Sequence, residues 1–318
     1  MTRVVPNQKL HERVGSRLKL RDLRMLMTVS AHGSMGKAAA ELSLTQSGVS
    51  RAIADLEATL GVRLFDRTAK GVEPTQYGRA LLKGSTSVFA DLRQSIEEIE
   101  QLADPGSGMV RVGCAEPMTW AVLPAIVERL ARRFPRMTCQ IVQSSPHALR
   151  YRDLPERKID LAIGVIWGPC PGDDVDVAPL YREKRFIVAG RQSPLASRRK
   201  VALSDLVDEA WALPPHETEM RSILEGAFAA HGLPAPRVCI VNHSIALNSN
   251  LVATSRFLTV LPGSMLRLGK MPMPLKVLPI DLPDGGGPVG IMTLKHRSVS
   301  PIVRHFIEQA RQVVKPLV

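Results

Sequence analysis

Aromatic residues are scarce in this chain, at 4% of 318 residues, which removes the stacking platform that single-stranded nucleic-acid binders need. Cysteine is also sparse. Cys114, Cys139, Cys170 and Cys239 are scattered, with no CxxC pair and no Cys/His ligand spacing, so neither a zinc site nor a disulfide framework is expected. Buried free thiols in a reducing compartment are the simpler account. No uninterrupted apolar run approaches the length of a membrane span. The opening "MTRVVPNQKLHERVGSRLKL" is basic but lacks an apolar core of the secretory kind, and the reading is a cytoplasmic protein without membrane association. No Ser/His/Asp, Cys/His or metal-ligand constellation stands at local spacing, so neither an enzyme nor a cofactor is expected.

What is present is positive charge. The net charge is +12, which favours an anionic partner. Its distribution is uneven: residues 1–83 hold 14 Lys/Arg against 7 Asp/Glu, and the rest of the chain holds 28 against 23. That places a basic nucleic-acid module ahead of a nearly neutral body.

The first apolar period runs through "LKLRDLRMLMTVSAHG", Leu18 to Gly33, and glycine past the end suits a helix C-terminus. Ser34 is placed to cap a short helix, "MGKAAAEL", and Thr45 to cap a third from Gln46 to about Leu60, closed by Gly61. At 100° per residue, Val49, Ile53, Leu56 and Leu60 of the third helix share one arc. Ser47, Arg51, Ala54 and Ala58 lie opposite, flanked by Gln46 and Ser50. A solvated face usually carries long Glu and Lys. Small residues beside Ser, Gln and Arg instead admit a second surface and donate to phosphates and base edges. Gly48 fits the same logic, since glycine in a helix costs about 1 kcal/mol against alanine and leaves room for close approach. Two short helices with such a second face describe a helix-turn-helix. "VRLFDRTAKGVEPT" then reads as a two-stranded wing with Arg67 and Lys70 at its tip or flank. Thr75 caps a long helix whose apolar stripe includes Leu81, Val88, Leu92, Ile96, Ile99 and Leu102, ended by "DPGSG". That stripe packs either on the same helix of a second subunit or on the body of its own chain.

The run "HGSMGKAAAELSLTQSGVSRAIADLEATLGVRLFDRTAKGVEPTQYG" resembles the winged helix-turn-helix of LysR-type transcriptional regulators, without a gap over some sixty residues. Two places depart from the family pattern. Met35-Gly36 stand where an aromatic and a polar residue are usual, and Gln46-Ser47-Gly48 replaces Gln-Pro-Ala. Within the family the run is similar to a branch typified by a galactose-binding-protein regulator, which implies sugars or aromatic acids as effectors. The assigned double-stranded DNA contacts are Ser34, Met35, Lys37, Thr45, Gln46, Ser47, Gly48, Ser50, Arg51, Arg67 and Lys70. Ser34 and Lys37 are expected on phosphates, Gln46, Ser47, Ser50 and Arg51 in the major groove, and Arg67 and Lys70 on flanking backbone. The resemblance further implies a pseudo-palindromic operator, a homodimer through the long helix, two dimers forming a tetramer, and contact with RNA polymerase.

From Met109 strands and helices alternate, as in "MVRVGCAE", "MTWAVLPAIVERLARRFP", "MTCQIVQ" and "IDLAIGVI", which predicts a mostly parallel sheet. A second α/β unit starts near "REKRFIVAG" with a helix at "SDLVDE", and "PVGIMTLK" and "SPIVRHFIEQARQVV" close the chain. The fold class is therefore α/β. A mainly helical winged helix-turn-helix and a linker helix precede two lobes, which the resemblance makes a periplasmic-binding-protein-like effector domain. The expected bounds are an extension over 1–17, the DNA-binding domain over 18–75, the linker over 76–104 and the effector domain over 105–318. Its first lobe takes about 109–180 and 285–318, and its second about 181–284. Ligands of open α/β sheets sit beyond strand C-termini. That rule nominates Cys114, Glu116, Thr119, Ser144, Ser145, Trp167, His216, Thr218, His243 and Ser244 for a small-molecule effector. Thr119, Ser144 and Ser244 are also candidates to open a helix, where an anion is welcome. Each serine read singly is a plain cap, and Trp167 is cleft wall or core. Arg221 is read first as a solvated surface arginine and second as a partner for a carboxylate effector, and His216 first as an exposed loop histidine and second as a ligand donor. The rival reading is a cytosolic small-molecule-binding protein or enzyme with a basic appendage.

Overall fold

The computed structural model describes residues 18–68, 71–166, 174–269, 273–282, 287–295 and 299–318. Lys70, Trp167, Cys170 and the extension over 1–17 lie outside the described residues, as does the side chain of Arg67. The chain divides into two units, Met1–Ile96 and Glu97–Val318.

In the first unit, α1 (Leu20–His32), α2 (Met35–Glu41) and α3 (Gln46–Leu60) enclose a core of Leu26, Val29, Ala38, Val49, Ile53 and Leu56. Each start has a local cause. Ser34 Oγ accepts from the Lys37 amide at 3.4 Å, and Thr45 Oγ1 accepts from the Gly48 amide at 3.1 Å. α1 and α3 each end on a left-handed glycine, Gly33 and Gly61. The wing pairs β1 (Phe65–Thr68) with β2 (Gly71–Pro74) antiparallel, Arg67 opposite Val72. It is seated at both ends. Glu57 of α3 accepts from the Leu64 and Phe65 amides at 2.6 and 3.2 Å. The Val72 amide donates to Gly33 O at 2.8 Å. Gly71 has φ of 128°, and a Cβ there would lie 2.4 Å from Gly33 O, so only glycine lets wing and helix end meet.

Thr75 caps α4 (Gln76–Ala103) through the Gly78 amide at 3.1 Å. Leu81 and Leu82 pack on the first core, while Val88, Leu92, Ile96, Ile99 and Leu102 are exposed. In the second unit the end of α4 is tied down on another face. Arg111 donates to Glu97 at 2.5 Å and, more weakly, to Asp160 at 3.5 Å.

The second unit contains β3 (Ser107–Cys114), α5 (Glu116–Trp120), α6 (Leu123–Arg133), β4 (Arg136–Gln143), α7 (Pro146–Ala148), β5 (Leu161–Val165), β6 (Val175–Arg182), β7 (Arg185–Gly190) and β8 (Trp211–Leu213). There follow α8 (Glu219–Ala230), β9 (Val238–Val241), α9 (Ile245–Thr254), β10 (Thr259–Pro262), α10 (Gly263–Leu268), β11 (Leu275–Val277), β12 (Pro288–Leu294) and α11 (Pro301–Val313). The first lobe is a sheet ordered β4-β3-β5-β12-β6, covered by α6 and α11, whose Ile126, Leu130, Ile302 and Phe306 are buried. The second joins β10-β7-β11 to β8-β9 through a bridge between Trp211 and Leu258. Trp211, Phe228 and Leu258 centre its core.

Three expectations change. β3 is parallel to β4 and β5, but β12 runs antiparallel to both β5 and β6, so the sheet is mixed. The strand β6 in "VDVAPLYR" has weak alternation and Pro179 inside it, tolerable because it is an edge. "MTWAVLPAIVERLARRFP" does not form one helix. It breaks at Ala121-Val122, because Pro124 has no amide to donate back to the preceding turn. "SDLVDE" forms only one 3-10 turn, Leu203–Leu206.

Candidate functional site

The outward side of α3 is open. Gln46, Ser47, Gly48 and Arg51 are exposed and Ser50 is half-buried. Among the described residues, Gln46 and Arg51 make no hydrogen bond or ion pair of standard geometry, whereas Ser47 Oγ lies 3.2 Å from Thr45 Oγ1. α2 sits close beside this face. A Cβ built on Gly36 would lie 3.6 Å from Gln46 Oε1, which puts the Gln46 side chain over the first turn of α2, next to Ser34. Lys37 is exposed there. Met35 instead packs against the core, so its side chain is mostly committed inward. Gly48 gains a second explanation. A Cβ on it would stand 3.1 Å from Thr45 Oγ1, crowding the cap that starts the helix.

The cleft positions behave differently, because most are already engaged within the chain. Cys114 is fully buried in the first-lobe core, and burial pushes its thiol up to about 11. That corrects its placement in the cleft: it shares the Val110 and Val112 side of β3, packed in the core. Thr119 does not open a helix. It lies inside α5 and donates to Glu116 O at 2.7 Å. The Arg152 guanidinium holds the Asp153 carboxyl below the usual carboxylate range, and the Ser144 side chain hydrogen-bonds to the same group. Ser145 caps α7 through the Ala148 amide at 3.2 Å. Thr218 donates to Pro215 O at 2.7 Å and makes no side-chain cap. His216 is exposed, 2.9 Å from Glu225, which also takes Arg221 Nε at 2.7 Å. Arg221 is therefore held in a pair rather than solvated. His243 is exposed.

Glu116 and Ser244 converge. Ser244 Oγ accepts from the Leu247 amide at 3.2 Å, and the Glu116 carboxylate accepts from the Ile245 and Ala246 amides at 3.0 and 3.1 Å. An acidic side chain from the first lobe thus fills the N-terminus of α9 in the second, where the helix dipole favours negative charge. A second link was not legible in the sequence. Glu219, first residue of α8, accepts from Arg185 Nη2 at 3.1 Å and from the Gly287 amide at 3.0 Å, beside β12. Glu183 lies where the chain crosses between lobes. It is buried and accepts from Tyr181 Oη, the Ser264 amide and Ser264 Oγ at 3.0, 3.0 and 2.6 Å. Burial, with Glu183 adjacent, raises the Tyr181 phenol well above its usual range. The one signal, for Glu183 and Arg185, is "REKRFIVAG", where four consecutive charges lead into a buried strand. Among the described residues there is no cluster of metal-ligating side chains and no helix long and apolar enough to cross a membrane.

Comparison with known proteins matches each unit to one domain. Residues 20–79 match the model described as a bacterial regulatory helix-turn-helix protein of the lysR family, and residues 103–315 match the LysR substrate binding domain. The chain belongs to the LysR family of transcriptional regulators: it is a DNA-binding regulator with an effector-binding domain. It is 29% identical over 297 residues to the HTH-type transcriptional regulator GbpR of Azospirillum brasilense, covering 93% of this chain and 86% of that protein. It is 28% identical over 293 residues to the transcriptional dual regulator GltC of Bacillus subtilis, covering 92% and 96%. Full-length CbnR complexed with its target DNA shares the fold, with a TM-score of 0.65 at 19% identity over 93% of this chain and 100% of that one. The family and these relatives are regulators of transcription rather than enzymes.

Proposed function

We propose that α3 enters the major groove with Gln46, Ser47, Ser50 and Arg51 at base edges, and that Ser34 and Lys37 hold phosphates from α2. Arg67 and Lys70 extend the contact to flanking backbone, and Thr45 and Gly48 keep the helix start narrow. The observation that carries this reading is the exposed Arg51, without a partner among the described residues, on a face of otherwise small residues. The exposed stripe Val88, Leu92, Ile96, Ile99 and Leu102 supports pairing of α4 with its copy in a second subunit. A dimer reads a pseudo-palindromic site, and two dimers form the tetramer that engages RNA polymerase from the cytoplasm. A small molecule between the lobes of the second unit, near Glu116 and Ser244, sets promoter binding or activation.

The test is fluorescence anisotropy on the regulator's own upstream DNA against scrambled DNA at several salt concentrations. Arg51→Ala should collapse the ratio of specific to non-specific affinity. Lys37→Ala should weaken both sequences alike and lower the salt slope by about 0.9 for each phosphate that the variant leaves unneutralised. Unchanged discrimination by the Arg51 variant would remove the recognition-helix assignment.

A further inference from the structure

Resting on the reading that the inter-lobe cleft holds the effector, we infer that the effector is a compact, electrically neutral molecule, apolar over most of its surface, whose oxygen acceptor is bound by Arg185. A cavity of about 60 Å³ lies between the lobes, lined by Met118, Leu149, Val165, Met220 and Met292 and by two charged residues, Glu183 and Arg185. The Arg185 side chain is only 5% exposed. Its Nη2 is bound to Glu219, yet Nε and Nη1 are buried with no hydrogen-bond partner among the described residues. Native structures rarely leave such donors unmet, and where they do a ligand is one standing explanation.

The polarity of the missing partner follows from the inventory. Arginine has donors only, so what completes it is an acceptor. Glu183 and Glu219 already outnumber the one guanidinium, and a carboxylate ligand would add a third negative charge to a buried site, which is costly. A cation would balance the sum but would meet the unused donors of Arg185. A neutral carbonyl or hydroxyl oxygen satisfies Arg185 without changing the charge. The remaining wall is apolar, and three methionines let it adapt to shape. The volume admits a branched body of a few carbons, smaller than the ring that a cavity of about 150 Å³ accepts.

The test uses the full chain with ¹³C-methyl methionine and titrates acetone, acetate and isopropylamine, three branched probes of four heavy atoms each and different charge. The ketone should shift the methyls of Met118, Met220 and Met292 with a Kd at least tenfold below those of the other two. Glu219→Gln, which removes one negative charge and keeps a partner for Arg185, should narrow or invert the gap between ketone and acetate. The paired substitution Arg185→Gln with Glu219→Gln should weaken the ketone at least fivefold while leaving the other methionine signals in place. Acetate binding more tightly than the ketone to the unaltered protein overturns the neutral class and leaves the cleft as the effector site. Ketone affinity indifferent to the paired substitution overturns the part given to Arg185. No probe shifting these three methyls overturns the proposal together with the cleft reading.

Discussion

The outward face of α3 and the mouth of the inter-lobe cleft carry similar residues, serines and an ionisable group at a helix start, yet their side chains are used in opposite ways. On α3, Thr45 alone is spent on the cap, and Gln46 and Arg51 are exposed and without a partner among the described residues. At α9 the cap takes Ser244, and Glu116 fills the remaining amides from the other lobe. The difference lies in where polarity can be left open. An exposed helix face can hold donors in water until DNA arrives, at little cost. A helix end near a packed cleft must have its amides met by the protein itself, because burying them unpaired is expensive. The open face reads as a binding surface, and the filled one as a latch between lobes.

Two substitutions break this contrast most directly. Arg51→Ala should lower operator affinity roughly 10- to 100-fold, the range expected for losing about 1–3 kcal/mol of base contact, with chemical stability unchanged within about 0.5 kcal/mol. Glu116→Ala should do the reverse. It leaves two α9 amides without a charged acceptor and should cost about 1.5–3 kcal/mol in denaturant unfolding of the second unit. Anisotropy with non-specific DNA should not register it. Equal stability losses for both would show that Arg51 also holds the fold and would erase the distinction.

Ser244→Ala comes next, at about 1 kcal/mol of stability, the usual worth of a serine cap. Gly48 sharpens the comparison on the other side. Gly48→Ala gains up to about 1 kcal/mol of helix propensity but crowds the Thr45 hydroxyl, so calorimetry should find a net change smaller than that gain. Gly48→Leu should fold and lose DNA, because its added bulk stands on the exposed face. Normal DNA binding by that variant would leave the cap contact as the whole reason for the glycine.

The smallest effect separates two thiols. Cys239 is exposed and should react with iodoacetamide at pH 8, whereas Cys114, buried and titrating near 11, should stay unmodified until unfolding. The unfolded thiol ionises first, from an ordinary value of 9.0, so this residue leaves stability intact below that pH and erodes it as the pH rises toward 11.

The helices of the first unit were legible almost to the residue, since caps, left-handed glycines and a 3.6-residue period are all local features. Gln46 to Leu60 could be read as a helix with one inward and one outward face before any neighbour was known. The cleft was not legible in that way. Strand ends nominated Cys114, but its side of the pleat turns it into the core. They nominated Thr119, but the break forced by Pro124 leaves it inside a five-residue helix. Arg185, Glu183 and Glu219 stood in the sequence as three ordinary charges.

The sequence alone determined the order of elements, the winged helix-turn-helix, the capped start of each of its recognition elements and the surplus of positive charge ahead of a two-lobed body. Those depend on neighbours within about four residues or on pattern summed over a helix. The tertiary structure decided which polar groups are spoken for. Glu116 finds the start of α9 some 130 positions away, and Glu219 meets Arg185 within its own lobe and Gly287 beside the other, at sequence separations of 34 and 68. Pairings that distant are set by how the sheets stack and where the chain crosses between lobes, and no local period encodes them.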